Sequence, residues 1–509
     1  MAKASKRGQL ARPPKKQKAK ASTPETVADF QEAADRDEEA GGKHRVGDPQ
    51  KSARAFLRAL DWYQQGIAKH PSDFDLVYNK ARLELEITQQ PALVRHMDAP
   101  LNMLLQRAAE SHRHACNLSA ENADVRFNSA QVLVSLAEHL SEQEQSSGAI
   151  KLLQEALALL SACLSRQEMQ LEQQRIAFSE SDDGGVKLDA DEKPGSNGLE
   201  QSAVIEHPLE WTDLLDTVHA SLSALIILVS LVDPASLDTY ADMARTLTEE
   251  RGPAYISNLP ESEQASARAT LMLDRAIFLA TIANVQYNHA TLDLAAYGSC
   301  LGAFAEIAPR NLCTICAEAE AYTELVLSAL EHTSLESSTV QLCWTHLKWT
   351  QDLYAQASNF RDDGGLEFRA RPMDIHKARG DVELLRHRLV LCSQSADGNN
   401  GNGLPAAVHG SAATLVSNAQ TYYRGSASLA LGTGDDDGTN LMAQHRWIAA
   451  REIGKVLYGA EPKPLPMEWS SLGLEGNACL VEATLNECVE EGLVGPEVRD
   501  QVLSARQRR

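Results

Sequence analysis

At 509 residues the chain has room for roughly two to four ordinary domains or one extended array, so it is not a small scaffold that needs disulfide or metal staples. Hydrophobic residues make up 43% of it but aromatics only 5%, a balance resting on Ala and Leu that favours close helix packing over sheet. The formal net charge of −22 divides unevenly: the first 20 residues hold eight Lys or Arg and no acid, which leaves −30 on the remainder. Such a body repels nucleic-acid phosphates and attracts basic partners.

Nine cysteines without a tight framework of spacings, and no secretory signal at the amino end, fit a reducing compartment. The richest apolar run, SLSALIILVSLV at 221–232, falls short of a membrane span and reads as a buried helix. A soluble chain with no membrane contact is expected.

From the amino end, residues 1–48 combine Lys, Ala, Pro, Ser, Glu and Gly with almost no large apolar residue, the composition of a disordered arm. Within it, PPKKQKAK at 13–20 reads as a nuclear localisation signal. Lys15, Lys16, Lys18 and Lys20 would engage an acidic import receptor and place the protein in the nucleus, shuttling with the cytoplasm. The competing view is a solvated tail or a loose nucleic-acid contact. No aromatic is interleaved for base stacking, so direct nucleic-acid recognition is not expected.

Beyond the arm, apolar residues recur at helical spacing, as at Phe56, Leu60, Tyr63 and Ile67, or Leu152, Leu153, Ala156, Leu157 and Leu160. Strand-type alternation is nowhere sustained. Clusters of Gly, Asp, Asn and Ser interrupt the helices. They divide the chain into helical repeats over 49–178, an acidic and Gly-rich linker over 179–208, a helical continuation over 209–392, a Gly/Asn-rich linker over 393–411, a carboxy-terminal helical segment over 412–495 and a tail over 496–509. GTGDDDGTN at 432–440 reads as a surface loop. The fold class is all-α.

One phrase is written twice. HPSDFDLVYNKARLEL at 70–85 returns as SAENADVRFNSAQVLV at 119–134, at an offset of 49, the separation of Asp75 from Asp124. Tyr78 then matches Phe127, Asn79 matches Asn128 and Ala81 matches Ala130, while upstream Ala59 meets Ala108. Each copy is a helix, a polar turn, and a second helix entered beside an acid, a unit that buries its apolar face only by stacking on a neighbour. APRNLCTICAEAEAY at 308–322 is a third echo, with Pro309, Asn311 and Ala319 in register with Pro71, Asp73 and Ala81.

These residues resemble the tetratricopeptide repeat family, over about residues 50–165. The resemblance implies a helical repeat array, an α-solenoid, whose groove holds a peptide or client segment. It assigns to that groove Asp75, Tyr78, Asn79 and Arg82, with Asp124, Phe127, Asn128 and Gln131. The basic opening and GIAKHPSDFDLVYNKARL also resemble, distantly, the fungal enhancer-of-translation-termination family of nuclear helical-repeat proteins. The period departs from the tetratricopeptide length of about 34, and the additional residues, TQQPALVRHMDAPLNM, lie between the helix pairs. Lys80 and Glu84 fall where that family places apolar packing residues.

Other constellations carry weaker signals. Cys313 and Cys316 form a lone C-x-x-C with no second ligand pair, so a small buried hydrophobe is the plainer reading. His112, His114 and Cys116 stand two apart, and on a helix they face different ways. In KPLPMEWS, Met467 and Trp469 either pack on a neighbouring helix or form a docking motif. Neither a phosphate-binding G-x-x-x-x-G-K-[ST] nor a G-x-S-x-G elbow occurs. No cofactor, metal or catalytic residue is therefore assigned. The expected function is a non-enzymatic adaptor or chaperone that binds a basic client segment in ribosome or nuclear complex assembly. The alternative is a scaffold subunit of a nuclear multiprotein complex, in translation or transcription regulation for example.

Overall fold

A computed structural model of the chain describes residues 24–45, 47–180, 208–331, 336–360, 372–396, 404–433, 439–461, 469 and 478–508. The lysine cluster at 13–20, Met467, most of 179–208 and the centres of the other linkers lie outside them. Among the described residues every regular element is helical. The chain divides into two compact units, Met1–Ala120 and Glu121–Arg509.

The first unit holds α1 (Val27–His44), α2 (Pro49–Lys69), α3 (Phe74–Thr88), the short α4 (Pro91–Val94) and α5 (Leu101–Leu118). Local chemistry sets each start. Thr26 and Asp29 form a reciprocal capping box at α1, and Asp48 accepts the Lys51 amide at 2.9 Å ahead of Pro49 at α2. Asp73 accepts the Leu76 amide at 3.0 Å at α3. The hairpins are α1 with α2 and α3 with α5, which pack along each other more extensively than α2 does along α3. The frame is thus one helix earlier than the repeated phrase suggests. The additional residues between the copies include α4, whose Leu93 plugs the core at 1% exposure.

Helix α1 corrects the expectation of disorder through residue 48. Phe30 and Ala34 are fully buried against α2, and Gly41 sits so close that a Cβ there would lie 2.5 Å from Phe56 Cε1. The acids that suggested disorder have partners: Asp37 accepts from Arg58 and from the Trp62 indole at 3.2 Å, and Glu38 accepts from the Tyr63 hydroxyl at 2.6 Å. A helix docked through Ala, Gly and acid acceptors leaves little apolar periodicity to read.

The second unit runs through α6 (Ala123–Glu142), α7 (Ser146–Glu180), α8 (Trp211–Leu231), α9 (Leu237–Arg245), α10 (Gly252–Ile256), α11 (Glu261–Asn288), α12 (Leu294–Cys300), α13 (Leu312–Glu331), α14 (Ser337–Asn359), α15 (Pro372–Ala396), α16 (Ala406–His409), α17 (Ala412–Thr433), α18 (Thr439–Tyr458), α19 (Ala478–Glu490) and α20 (Pro496–Gln507). The long helices pack in sequence, α6 on α7, α7 on α8, α8 on α11, α11 on α13, and so on to α18. This is an all-α helical repeat array. Asn122 caps α6 by accepting the Val125 amide at 3.2 Å, and Asn311 caps α13 by accepting the Thr314 amide at 2.8 Å. Ala81, Ala130 and Ala319, each eight residues beyond its cap, are all fully buried, so the third echo shares the packing of the other two.

The apolar run at 221–232 falls in α8, which is long and apolar enough to cross a membrane, as is 146–176 of α7. In the fold α8 buries Leu214, Val218, Leu222, Leu225 and Val229 and packs against α7 and α11. The expected linkers do not bound cores. Thr217 of α8 donates to Gln167 of α7 at 2.8 Å across 179–208, and one hydrophobic core runs from Ala269 to Val502 across 393–411. The expected tail is largely α20, where Val498 and Val502 are buried and Arg506 pairs with Glu452 at 3.0 Å. Runs of Gly, Asp and Asn mark where the chain leaves a helix, not where a core ends.

Gly380 repeats the close approach seen at Gly41. A Cβ at Gly380 would lie 2.5 Å from Cε1 of the fully buried Tyr423, whose hydroxyl donates to Asp381 at 2.8 Å, so the ring has no room to retreat. In an exposed helix Gly→Ala stabilises by about 1 kcal/mol. Here Gly380→Ala is expected to destabilise by about 1–3 kcal/mol through overpacking. Urea titration checks the sign, and a stabilised variant would contradict the packing.

Candidate functional site

The residues assigned to a groove sit on α3 and α6. On α3, Asp75 is exposed in the first turn, and Tyr78 is half-buried with its ring stacked on Phe74 at 5.5 Å between centroids. Asn79 and Arg82 are half-buried. On α6, Asp124 is exposed in the first turn, and Phe127, Asn128 and Gln131 are half-buried. In both helices the acid therefore stands at the solvent end of the face, two residues after the cap.

Arg82 is engaged within the first unit. It donates to Glu38 of α1 at 2.6 Å and to Glu86 at 3.4 Å, and Arg45 also pairs with Glu86. Burial alone would lower the Arg82 pKa, but the two carboxylates outweigh it and raise the value. The guanidinium fastens α3 to α1. Glu38 was missed in the sequence because it lies in the segment read as disordered.

Lys80 and Glu84, two residues from Tyr78 and Arg82, point roughly 200° away around the helix. They line a cleft of about 430 Å³ between α2, α3 and α5. The Lys80 ammonium donates to Glu84 at 2.7 Å and to Ser111 at 2.8 Å. Leu60, Ile87 and Leu104 form apolar wall, and Asp61, Asp98 and Glu110 add acid. Arg107 pairs with Asp98 at 3.3 Å, so four acids face two cations. The signal in the sequence was the pair of charges at positions expected to be apolar.

The remaining sequence candidates resolve individually. His112 is fully buried, and burial lowers its pKa to about 4, so it is neutral, whereas His114 is exposed and Cys116 half-buried. Cys316 is buried and its thiol pushed up to about 12, the reverse of an activated nucleophile, while Cys313 is half-buried. Trp469 is 1% exposed and meets Trp447 edge-on at 5.4 Å between centroids, an anchor on α18.

No family model matches the chain. Over 162 residues it is 33% identical to the UPF0656 protein C926.02 of Schizosaccharomyces pombe. The match takes in 32% of this chain and 35% of that protein, so the chain spans about a third of the length of this curated relative. A solved circular tandem repeat protein with novel repeat topology and enhanced subunit contact surfaces aligns with 95% of this chain and 98% of its own, at 12% identity and a TM-score of 0.28. The assignment of an all-α repeat array rests on the helices themselves.

Proposed function

We propose that this protein is a non-enzymatic, tetratricopeptide-like adaptor or chaperone that holds a basic segment of a client protein against its acidic body. The observation that carries the reading is charge placement. A body of −30 presents Asp75 in the first unit and Asp124 in the second, each in the exposed first turn of its helix, where a cationic segment gains from the carboxylate and from long-range attraction. Ribosomal proteins and histones are the basic client classes that such a surface suits, in ribosome or nuclear complex assembly. The lysines at 15–20 would supply nuclear import.

Affinity purification of the tagged full-length chain from its native cells, washed at low and then moderate salt, tests the reading. One basic protein in near-equal amount, shed as salt rises, is the expected result. A fixed set of several proteins that survives the wash identifies a scaffold subunit of a nuclear complex instead. Asp75→Lys with Asp124→Lys is expected to weaken the client about tenfold with helicity unchanged, at the upper end for exposed charges acting together. Wild-type affinity in that variant would remove both acids from client binding.

A further inference from the structure

The second unit contains a cleft whose α13 wall begins in the third echo, at Ala317, Glu320 and Ala321, while its other walls carry no copy of the repeated phrase. It has a volume of about 350 Å³ and lies between α11 and α13, closed by Tyr297 of α12 and by Phe304 in the turn that follows. Ile277, Thr281 and Asn284 come from one face of α11, and Ala317, Glu320, Ala321 and Glu324 from one face of α13, at spacings of three and four. The floor is mainly apolar, and the only charges among the lining residues are the two carboxylates one turn apart.

From this arrangement we infer that the cleft receives a single arginine or lysine side chain from a basic protein segment, its methylene stem on Ile277 and Phe304 and its charged head between Glu320 and Glu324. The inference rests on the basic-client reading above and names a subsite for it. Charge complementarity selects the occupant: two acids with no cation in the lining attract a cation, and the apolar floor favours one carried on an aliphatic stem. Asn284 orients the wall, donating from its amide to Glu324 at 3.3 Å, to the Tyr297 hydroxyl at 3.2 Å and to Ser328 at 2.9 Å.

Both glutamates remain exposed within the cleft. The surrounding helices nevertheless desolvate them and raise both carboxyl pKas, against the pull of Lys377 on Glu320 and of the Asn284 hydrogen bond on Glu324, with Glu331 adding to the rise at Glu324. A carboxylate that is reachable but poorly hydrated gains more from an incoming cation than one free in water.

The test uses the full-length chain and a fluorescein-labelled peptide of repeated Arg-Ala-Leu-Gly units, with the same peptide bearing citrulline, a neutral isostere, in place of arginine. Binding is followed by fluorescence anisotropy at low salt. Glu320→Gln with Glu324→Gln is expected to weaken the arginine peptide at least about tenfold and to leave the citrulline peptide unchanged. Ala321→Leu, which fills the cleft and keeps both charges, is expected to weaken it comparably, an effect that diffuse attraction would not produce. Circular dichroism checks that the variants fold. Wild-type affinity in either variant overturns the cleft assignment. If Asp75→Lys with Asp124→Lys then still weakens binding, the basic-client reading stands without this subsite. A wild-type chain that does not prefer arginine over citrulline overturns both.

Discussion

Phe30→Ala is expected to accelerate amide exchange through α1 and α2 by about a hundredfold or more. Phe30 is 1% exposed and joins Ala34, Phe56, Ala59 and Leu76 in the core of the first unit. The Lys69 ammonium sits 5.0 Å from its ring centroid, and the His70 ring meets it edge-on at 6.4 Å. Removing a buried phenyl group costs about 3–5 kcal/mol, from lost burial together with the cavity left behind. At about 1.4 kcal/mol per tenfold, the low end already exceeds a hundredfold. Exchange resolved by mass spectrometry reads this locally, because protection follows the opening free energy of each segment. Arg36→Ala is the control: its side chain is 68% exposed in a surface pair with Glu32, and a change within about 0.5 kcal/mol is expected. Equal exchange in Phe30→Ala and wild type would mean that α1 does not dock.

Arg446→Met is expected to lower the stability of the second unit by about 3–5 kcal/mol, read as a shifted urea midpoint of tryptophan fluorescence. Arg446 has a side chain only 3% exposed and pairs with both Asp381 and Glu491. Burial opposes its charge, but Asp381, Tyr423 and Glu491 outweigh burial and raise its pKa, so it stays protonated. Asp381 also accepts from the Tyr423 hydroxyl at 2.8 Å and pairs with Lys377 at 3.3 Å. Without the guanidinium, a carboxylate that is 13% exposed keeps only those partners. Trp447, next to Arg446, and its neighbour Trp469 place the fluorescent probe at the site. Combining Arg446→Met with Asp381→Asn is expected to restore more than half of the loss, because it removes the stranded charge together with its partner. A double variant as unstable as the single one would assign the cost to lost packing of the arginine stem.

The two variants probe regions that differed in legibility. Helical periodicity at Phe56, Leu60, Tyr63 and Ile67 appears in the fold as α2, and the doubled phrase appears as two helices with equivalent caps, Asp73 and Asn122, and equivalent buried alanines, Ala81 and Ala130. Both signals are local: a helix face and a cap are set by residues within a few positions of one another. Helix α1 was illegible for the opposite reason. It is held by Phe30, Ala34 and Gly41 against α2 and by Asp37 and Glu38 accepting from Arg58, Trp62 and Tyr63, partners more than twenty residues away.

The candidate site divides in the same way. The repeat singled out Asp75 and Asp124, and both are exposed in first turns. It could not show that Arg82 is committed to Glu38, or that Lys80 and Glu84 turn to a separate cleft against α5. Nor could it bring Glu320 and Glu324 opposite Ile277 and Asn284, about forty residues away in the chain. Periodicity, caps and charge asymmetry therefore carried the fold class, the repeated cap-and-alanine helix and the acidic character, since each depends on short-range spacing or on a sum over residues. Hairpin pairing, core continuity across the Gly-rich breaks and the composition of each cleft depend on which distant faces meet, and that is set by side-chain volume and by ion pairs formed after the helices pack.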